Sequence, residues 1–140
     1  MERTYATPLL DKLGVAPGCR VALVRIDDPD IRPLLAQRTT DLTEGPPLPG
    51  TDLVLLGADS LTDLADLASL RGRIRPSGAV WIVSRKGPAA TLRDVEVMAA
   101  AKAVGLVDNK VASFSATHTA LRLVIPRVLR RPPASPLPSG

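Results

Sequence analysis

Three runs of apolar residues, each too short for a helix and each bounded by turn residues, set the architecture of this chain. They are Val21-Ala-Leu-Val-Arg-Ile26, Leu53-Val-Leu-Leu56 and Ala79-Val-Trp-Ile-Val83. Near-continuous aliphatic runs of this kind belong to strands covered on both faces. Helical patterns lie between and around them. Thr7-Pro8 opens a short helical turn over Leu9–Leu13, which Gly14 ends, and Pro17-Gly18 turns the chain into the first strand. Pro29-Asp30 starts a helix reaching about Gln37, with the aspartate near its exposed amides. Leu61, Leu64, Leu67 and Leu70 form one apolar stripe behind Ser60 and Asp63, a pair spaced like a capping box. Pro76-Ser77-Gly78 reads as a turn, and Thr91 with Asp94 caps a helix that runs to about Val104 and stops at Gly105. Strands alternating with helices give a parallel sheet with right-handed crossovers.

The end of the chain breaks that alternation. Leu106–Ser115 and Leu121–Ile125 read as two antiparallel strands around Ala116-Thr117-His118-Thr119, with Pro126 at the end of an edge strand. The predicted fold is therefore α/β and Rossmann-like, a doubly wound, mostly parallel sheet with a C-terminal antiparallel hairpin. One domain is expected over 1–130, followed by a disordered Pro/Ser-rich tail over 131–140. Thr39-Thr40-Asp41-Leu42 is a candidate short edge strand, and Gly45-Pro-Pro-Leu-Pro-Gly50 is a loop.

Composition narrows the function classes. The hydrophobic fraction of 45% fills a core, but aromatics are 2%, so the core is aliphatic. Trp81, Tyr5 and Phe114 make no stacking platform, which disfavours single-stranded nucleic acid as a partner. Cys19 stands alone, so no internal disulfide forms, and lone His118 makes no metal site. The start, with Asp11 and Lys12 and no long apolar run, does not read as a signal peptide, and no stretch approaches a membrane span. A cytoplasmic location is the resulting expectation. The net charge of +4 hides a split: residues 1–70 carry six basic and eleven acidic side chains, residues 71–140 twelve and three. Acidic and basic faces of that kind suit a charged partner or self-association unless the two halves interleave.

The segment after the first strand decides against the usual ligands of such a sheet. Nucleotide and methyl-donor sites need the backbone to come close to the ligand there, which glycine permits. Arg25-Ile-Asp-Asp-Pro-Asp30 presents bulk and carboxylates instead. No cofactor is expected on this ground, and catalysis is disfavoured. Asp41 is the candidate for an acid after the second strand that would hold ribose hydroxyls. Arg85 and Lys86, just past the third apolar strand, are placed to meet a phosphate or an acidic side chain near the next helix start. If the three strands are neighbours, Asp27, Asp28, Asp59, Ser60, Arg85 and Lys86 share one polar edge of the sheet and form the candidate contact surface. Arg71, Arg73 and Arg75, and Arg122, Arg127, Arg130 and Arg131, are two basic clusters with no nucleic-acid motif beside them. Arg130-Arg131 ahead of the Pro-rich tail are placed to dock an acidic partner.

Two resemblances add to this reading. The terminal hairpin resembles the way class I methyltransferases finish their sheet, and Leu70–Val83 looks like their helix, turn and fifth strand. A closer resemblance is carried by Tyr5–Gly18, Asp52–Leu56, Gly78–Ile82, Gly105–Val111 and Leu121–Val124 in order. Together these are similar to a family of small bacterial proteins defined only as a domain of unknown function. That family's pattern usually has an aromatic where His118 stands, and Lys-Lys where this chain has Arg85-Lys86. The resemblance implies the fold and carries no catalytic residue. The function expected is a binding or regulatory module on a reduced methyltransferase-like sheet. The alternative is a domain for a phosphate-containing or adenosyl ligand with methyltransferase-type activity.

Overall fold

The computed structural model describes residues 3–130, with the side chains of 3–7 left aside. The tail expected over 131–140 lies outside the described residues. Ten regular elements follow in chain order: α1 (Arg3–Leu13), β1 (Val21–Val24), α2 (Ile31–Leu35), β2 (Leu42–Glu44), β3 (Thr51–Gly57), α3 (Leu67–Arg71), β4 (Ile74–Arg85), α4 (Asp94–Ala103), β5 (Val107–Ser113) and β6 (His118–Val124). The strands make one six-stranded sheet in the order β2-β1-β3-β4-β6-β5. β2, β1, β3 and β4 pair in parallel, and β6 is antiparallel to both β4 and β5. The doubly wound α/β sheet with its C-terminal hairpin is thus the fold.

Both faces of the sheet are covered, as the unbroken apolar runs require. Ala22, Val54, Leu56, Val80 and Ile82 face α3 and α4 in one core layer with Leu67, Leu70, Val97 and Ala101. Val21, Leu23, Leu55 and Trp81 face α1 and α2 in the other, against Leu10, Leu13, Ile31 and Leu35. Trp81 is fully buried, and its indole Nε1 donates to the Leu13 carbonyl at 3.0 Å. The lone tryptophan therefore pins the end of α1 to the middle of the sheet, with its polar atom satisfied.

Several local expectations shift. α1 begins at Arg3 and carries Pro8 inside it, so Pro8 does not open the helix. The leucine stripe forms a 3-10 turn over Thr62–Asp66 followed by the single-turn α3. A strict repeat of three suits a 3-10 helix better than an α-helix, and the first leucine, Leu61, is left exposed while Leu64, Leu67 and Leu70 are buried. Pro76-Ser77-Gly78 lies within β4: Ile74 is opposite Thr51 and Ala79 opposite Leu53, so four residues bulge against Asp52. Pro tolerates such a bulge because its missing N–H is not needed there. The first arginine cluster clips loops together: Arg71 donates to the Gly105 carbonyl, Arg73 to that of Pro47, and Arg75 to Asp52.

One contact sets the spacing of β1 and β3 at their carboxyl ends. A Cβ on Gly57 would lie 2.1 Å from the Arg25 carbonyl oxygen. The turn after β1 therefore lies directly on the last residue of β3, and only glycine fits beneath it. Gly57→Ala is expected to destabilise the protein by about 2–3 kcal/mol through overpacking. Gly72→Ala, where the nearest atom is 3.5 Å away and φ is −73°, is expected to change stability by less than about 0.5 kcal/mol. Urea denaturation of both variants checks the contrast.

Candidate functional site

The carboxyl ends of β1, β3 and β4 open into a cleft of about 530 Å³. This is where open α/β sheets receive ligands, and the size is that of a small-molecule site. Ala58, Val83 and Phe114 give it an apolar floor. Arg25, Asp27 and Asp28 form one wall, Asp59, Asp63 and Arg85 another, and the hairpin segment Ser115–His118 a third.

The first wall begins with an unusual residue. Arg25 has φ +55°, the only positive φ outside glycine among the described residues. An L-residue pays roughly 1–2 kcal/mol for that conformation. Its side chain is tied down: NH1 donates to Asp66 Oδ2 at 3.0 Å and NH2 to the Asp63 carbonyl at 2.8 Å. The backbone thus turns where a glycine would turn, and the guanidinium runs across to the 3-10 turn behind β3. Asp27 is exposed, and Asp28 Oδ1 accepts the Asp30 amide at 2.9 Å as a local cap.

The second wall is braced internally. Asp59 Oδ1 accepts the Arg85 amide at 3.0 Å, and Asp59 Oδ2 lies 3.9 Å from the Arg85 guanidinium. Asp63 Oδ2 accepts the Asp59 amide at 2.9 Å, while the Asp63 amide donates to Ser60 Oγ at 3.3 Å. The Asp59 amide, foremost, then Ser60 and the Arg25 charge hold the Asp63 carboxyl below the usual aspartate range against a smaller opposing effect of burial. The hairpin is fixed by the Lys86 amide, which donates to the Thr117 carbonyl at 3.0 Å. Thr117 Oγ1 and His118 Nδ1 lie 2.8 Å apart.

Of the six residues expected on one polar edge, Asp27, Asp28, Asp59 and Arg85 line the cleft. Ser60 and Lys86 do not: Ser60 sits behind as a cap, and Lys86 Nζ donates to Ser113 Oγ at 2.9 Å. The helix start that was to join Arg85 and Lys86 in an anion site also moves away. α4 begins at Asp94 behind Arg93, whose amide donates to Glu96 Oε1, and Thr91 Oγ1 donates to the Asp59 carbonyl instead. The lining holds four aspartates against two arginines, so its formal charge is negative.

The sequence reading also misplaced the acid of the second strand. β2 starts at Leu42, so Asp41 lies at its amino end in a 3.0 Å salt bridge with Arg20. Glu44 occupies the carboxyl end, where an acid meets a ribose in nucleotide-binding sheets, and here it pairs with Arg32. The one available signal was Gly45, which ends the strand directly after it. His118 and Thr119 were placed in a turn; they begin β6, and His118 stands opposite Arg85.

The fold agrees with known structures. A SAM-dependent methyltransferase from Aquifex aeolicus superposes with a TM-score of 0.67 at 14% identity, over 86% of this chain and 89% of that one. The magnesium protoporphyrin IX methyltransferase of Synechocystis PCC 6803, solved with bound SAM, gives 0.61 at 12% identity, over 88% and 77%. Mitomycin 7-O-methyltransferase gives 0.66 at 9% identity, this chain spanning 53% of its length. The chain therefore has a Rossmann-like, methyltransferase-like fold. No protein-family model and no curated protein matches it, so the comparisons support the methyltransferase-like fold and not the expected likeness to the small bacterial family. Among the described residues no helix is long and apolar enough to cross a membrane, and no group of acidic, histidine and cysteine side chains is arranged for a metal.

Two outcomes follow from this geometry. Arg25→Ala keeps the costly φ and loses the ties to Asp63 and Asp66, whereas Arg25→Gly removes both. Arg25→Gly is expected to be the more stable of the two by about 1 kcal/mol, measured by urea denaturation. The lowered pKa of Asp63 and that of Asp52 set an acid limit. Burial pushes the Asp52 carboxyl up, but the Arg20 amide and the Arg75 guanidinium outweigh it and bring it below 3.8. The stability these two groups contribute is complete above the unfolded value of 3.8 and is lost as pH falls through the folded values. Tm is expected to fall as pH drops below about 4, and less steeply in Asp52→Asn, whose Tm is already lower at neutral pH.

Proposed function

We propose that the protein is a non-catalytic binding module on a methyltransferase-like fold, and that the strand-end cleft is its ligand site. The observation that carries this reading is the turn after β1. The fold supplies the cleft, but Arg25 keeps the turn while filling it with a tethered side chain, and Asp27 and Asp28 stand where a ligand's anionic groups would need amides. Asp27, Asp28, Asp59 and Arg85 are the proposed contacts, with Ser60 and Lys86 supporting the walls. The excess of carboxylates favours a ligand with a positive charge over a free phosphate.

A second reading is favoured by the fold likeness itself. S-adenosylmethionine carries an ammonium and a sulfonium, both suited to an acidic cleft, and Glu44 lies where a ribose would be held once Arg32 released it. Thermal-shift measurements separate the readings. Spermidine and arginine are expected to stabilise the protein, by about 2.7 kcal/mol at a hundredfold excess over Kd, and Asp27→Asn/Asp28→Asn to remove the effect; ATP is expected to leave Tm unchanged. Stabilisation by ATP and not by the cations would overturn the charge argument. Transfer of a labelled methyl group from S-adenosylmethionine to any acceptor would replace the module reading by the enzymatic one.

A further inference from the structure

At the opposite end of the sheet, the corner where β6 leaves β5 gathers three arginines with no salt bridge among the described residues. Six arginines, Arg20, Arg25, Arg32, Arg38, Arg75 and Arg85, each face a carboxylate. Arg122, Arg127 and Arg130 make no salt bridge among the described residues. Arg122 is half-buried on β6, opposite Lys110 of β5, and among the described residues its side chain bonds only Asn109 Oδ1, at 3.4 Å. Arg130 is folded back by a bond from its Nε to the Ile125 carbonyl, which brings its charge within reach of Arg122. Burial, and then the Arg130 charge, push the Arg122 guanidinium below its ordinary pKa. Like charges that act on each other with no carboxylate paired to either among the described residues are costly, and an anion from outside relieves that cost.

The same corner offers backbone and apolar surface. β5 is an edge of the sheet, so one side of its backbone is unpaired among the described residues. Val107, at this end of the strand and on the face shared with Arg122, is exposed at 42%, and Val128 and Leu129 in the turn after β6 at 78% and 49%, whereas Val111 faces the other side of the sheet. We propose that this corner docks an extended acidic segment of another protein, which adds to the edge of β5 and sets its carboxylates against Arg122 and Arg130.

Main-chain pairing is what an edge strand offers to a polypeptide, and neither a lipid surface nor a nucleic acid can use it. Among the described residues the two rings, Trp81 and Phe114, are buried, which leaves none for bases to stack on. A second copy of this chain would bring Lys110, Arg122, Arg127 and Arg130 against themselves, and like charges across a strand pair repel. An acidic segment is complementary in charge, in backbone and in its apolar side chains.

The test uses the full chain and a labelled eight-residue peptide of alternating Glu and Val, with an alternating Lys and Val peptide, single-stranded oligo-dT and phosphatidylglycerol vesicles as the other probes. The acidic peptide is expected to bind by fluorescence anisotropy, more weakly as salt rises from about 0.05 to 0.3 M, and to protect the amides of Val107–Ser113 from hydrogen exchange. Arg122→Gln/Arg130→Gln is expected to weaken binding by about tenfold or more. Arg127→Glu, at an exposed position whose side chain makes no bond among the described residues, is expected to weaken it in the same direction while leaving Tm unchanged. No binding of the acidic peptide, equal binding by the variants, or no protection of β5 would overturn the proposal. So would oligo-dT or vesicles binding in place of the peptide, or a concentration-dependent dimer that protects β5 by itself.

Discussion

The turn after β1 rests on Gly57, and the rest of the site is arranged around that contact. With the Arg25 carbonyl where a Cβ would be, β1 and β3 close together at their carboxyl ends and their loops leave in different directions. The loop after β1 carries Asp27 and Asp28 along one side of the cleft. The loop after β3 carries Asp59 along the other, where it reaches the amide of Arg85 at the end of β4. Three strand ends are thereby joined through one aspartate and one glycine. The sheet order brings these residues near each other, but the two local contacts fix their orientation.

The same turn separates backbone form from side-chain chemistry. In a left-handed residue the chain bends sharply whatever the side chain is, provided something offsets the steric cost. Arg25 has that compensation in Asp63 and Asp66. The bend of a ligand-binding sheet is therefore kept without the open space that glycine would leave. The fold likeness to methyltransferases and the absence of their glycine-rich loop are thus compatible. Overall architecture follows the apolar runs and crossovers, while the ligand depends on a handful of atoms at the strand ends.

What was legible in the sequence follows the same division. Strands buried on both faces announce themselves by continuous aliphatic runs, and the buried centres of β1, β3 and β4 were found in their order, though β4 starts five residues before its run. Strand order also brings four of the six polar-edge residues, Asp27, Asp28, Asp59 and Arg85, to one cleft, without Ser60 and Lys86. What escaped depended on local competition. Thr91 matched a helix cap by spacing, yet its hydroxyl goes to the Asp59 carbonyl and Arg93 precedes the helix. Lys86 followed Arg85 in sequence, but successive residues near a strand end point to different sides, so it turned to Ser113. Asp41 was read as ending the second strand, although it precedes it, because a three-residue strand gives too little pattern to fix its ends. The charge split between the halves of the chain was visible, but not its pairing: Arg75 and Arg85 of the second half neutralise Asp52 and Asp59 of the first across β3 and β4.

Trp81 has a consequence beyond packing. It is the single indole of the chain, it is fully enclosed, and its one hydrogen bond goes to the last residue of α1. The protein thus carries an internal optical probe whose emission is set by whether the first helix is seated on the sheet. Red-shifted emission at a temperature or denaturant concentration where the sheet's far-ultraviolet signal is still intact would mean that α1 detaches first. The chain can report on the order in which its own layers separate without any label being added.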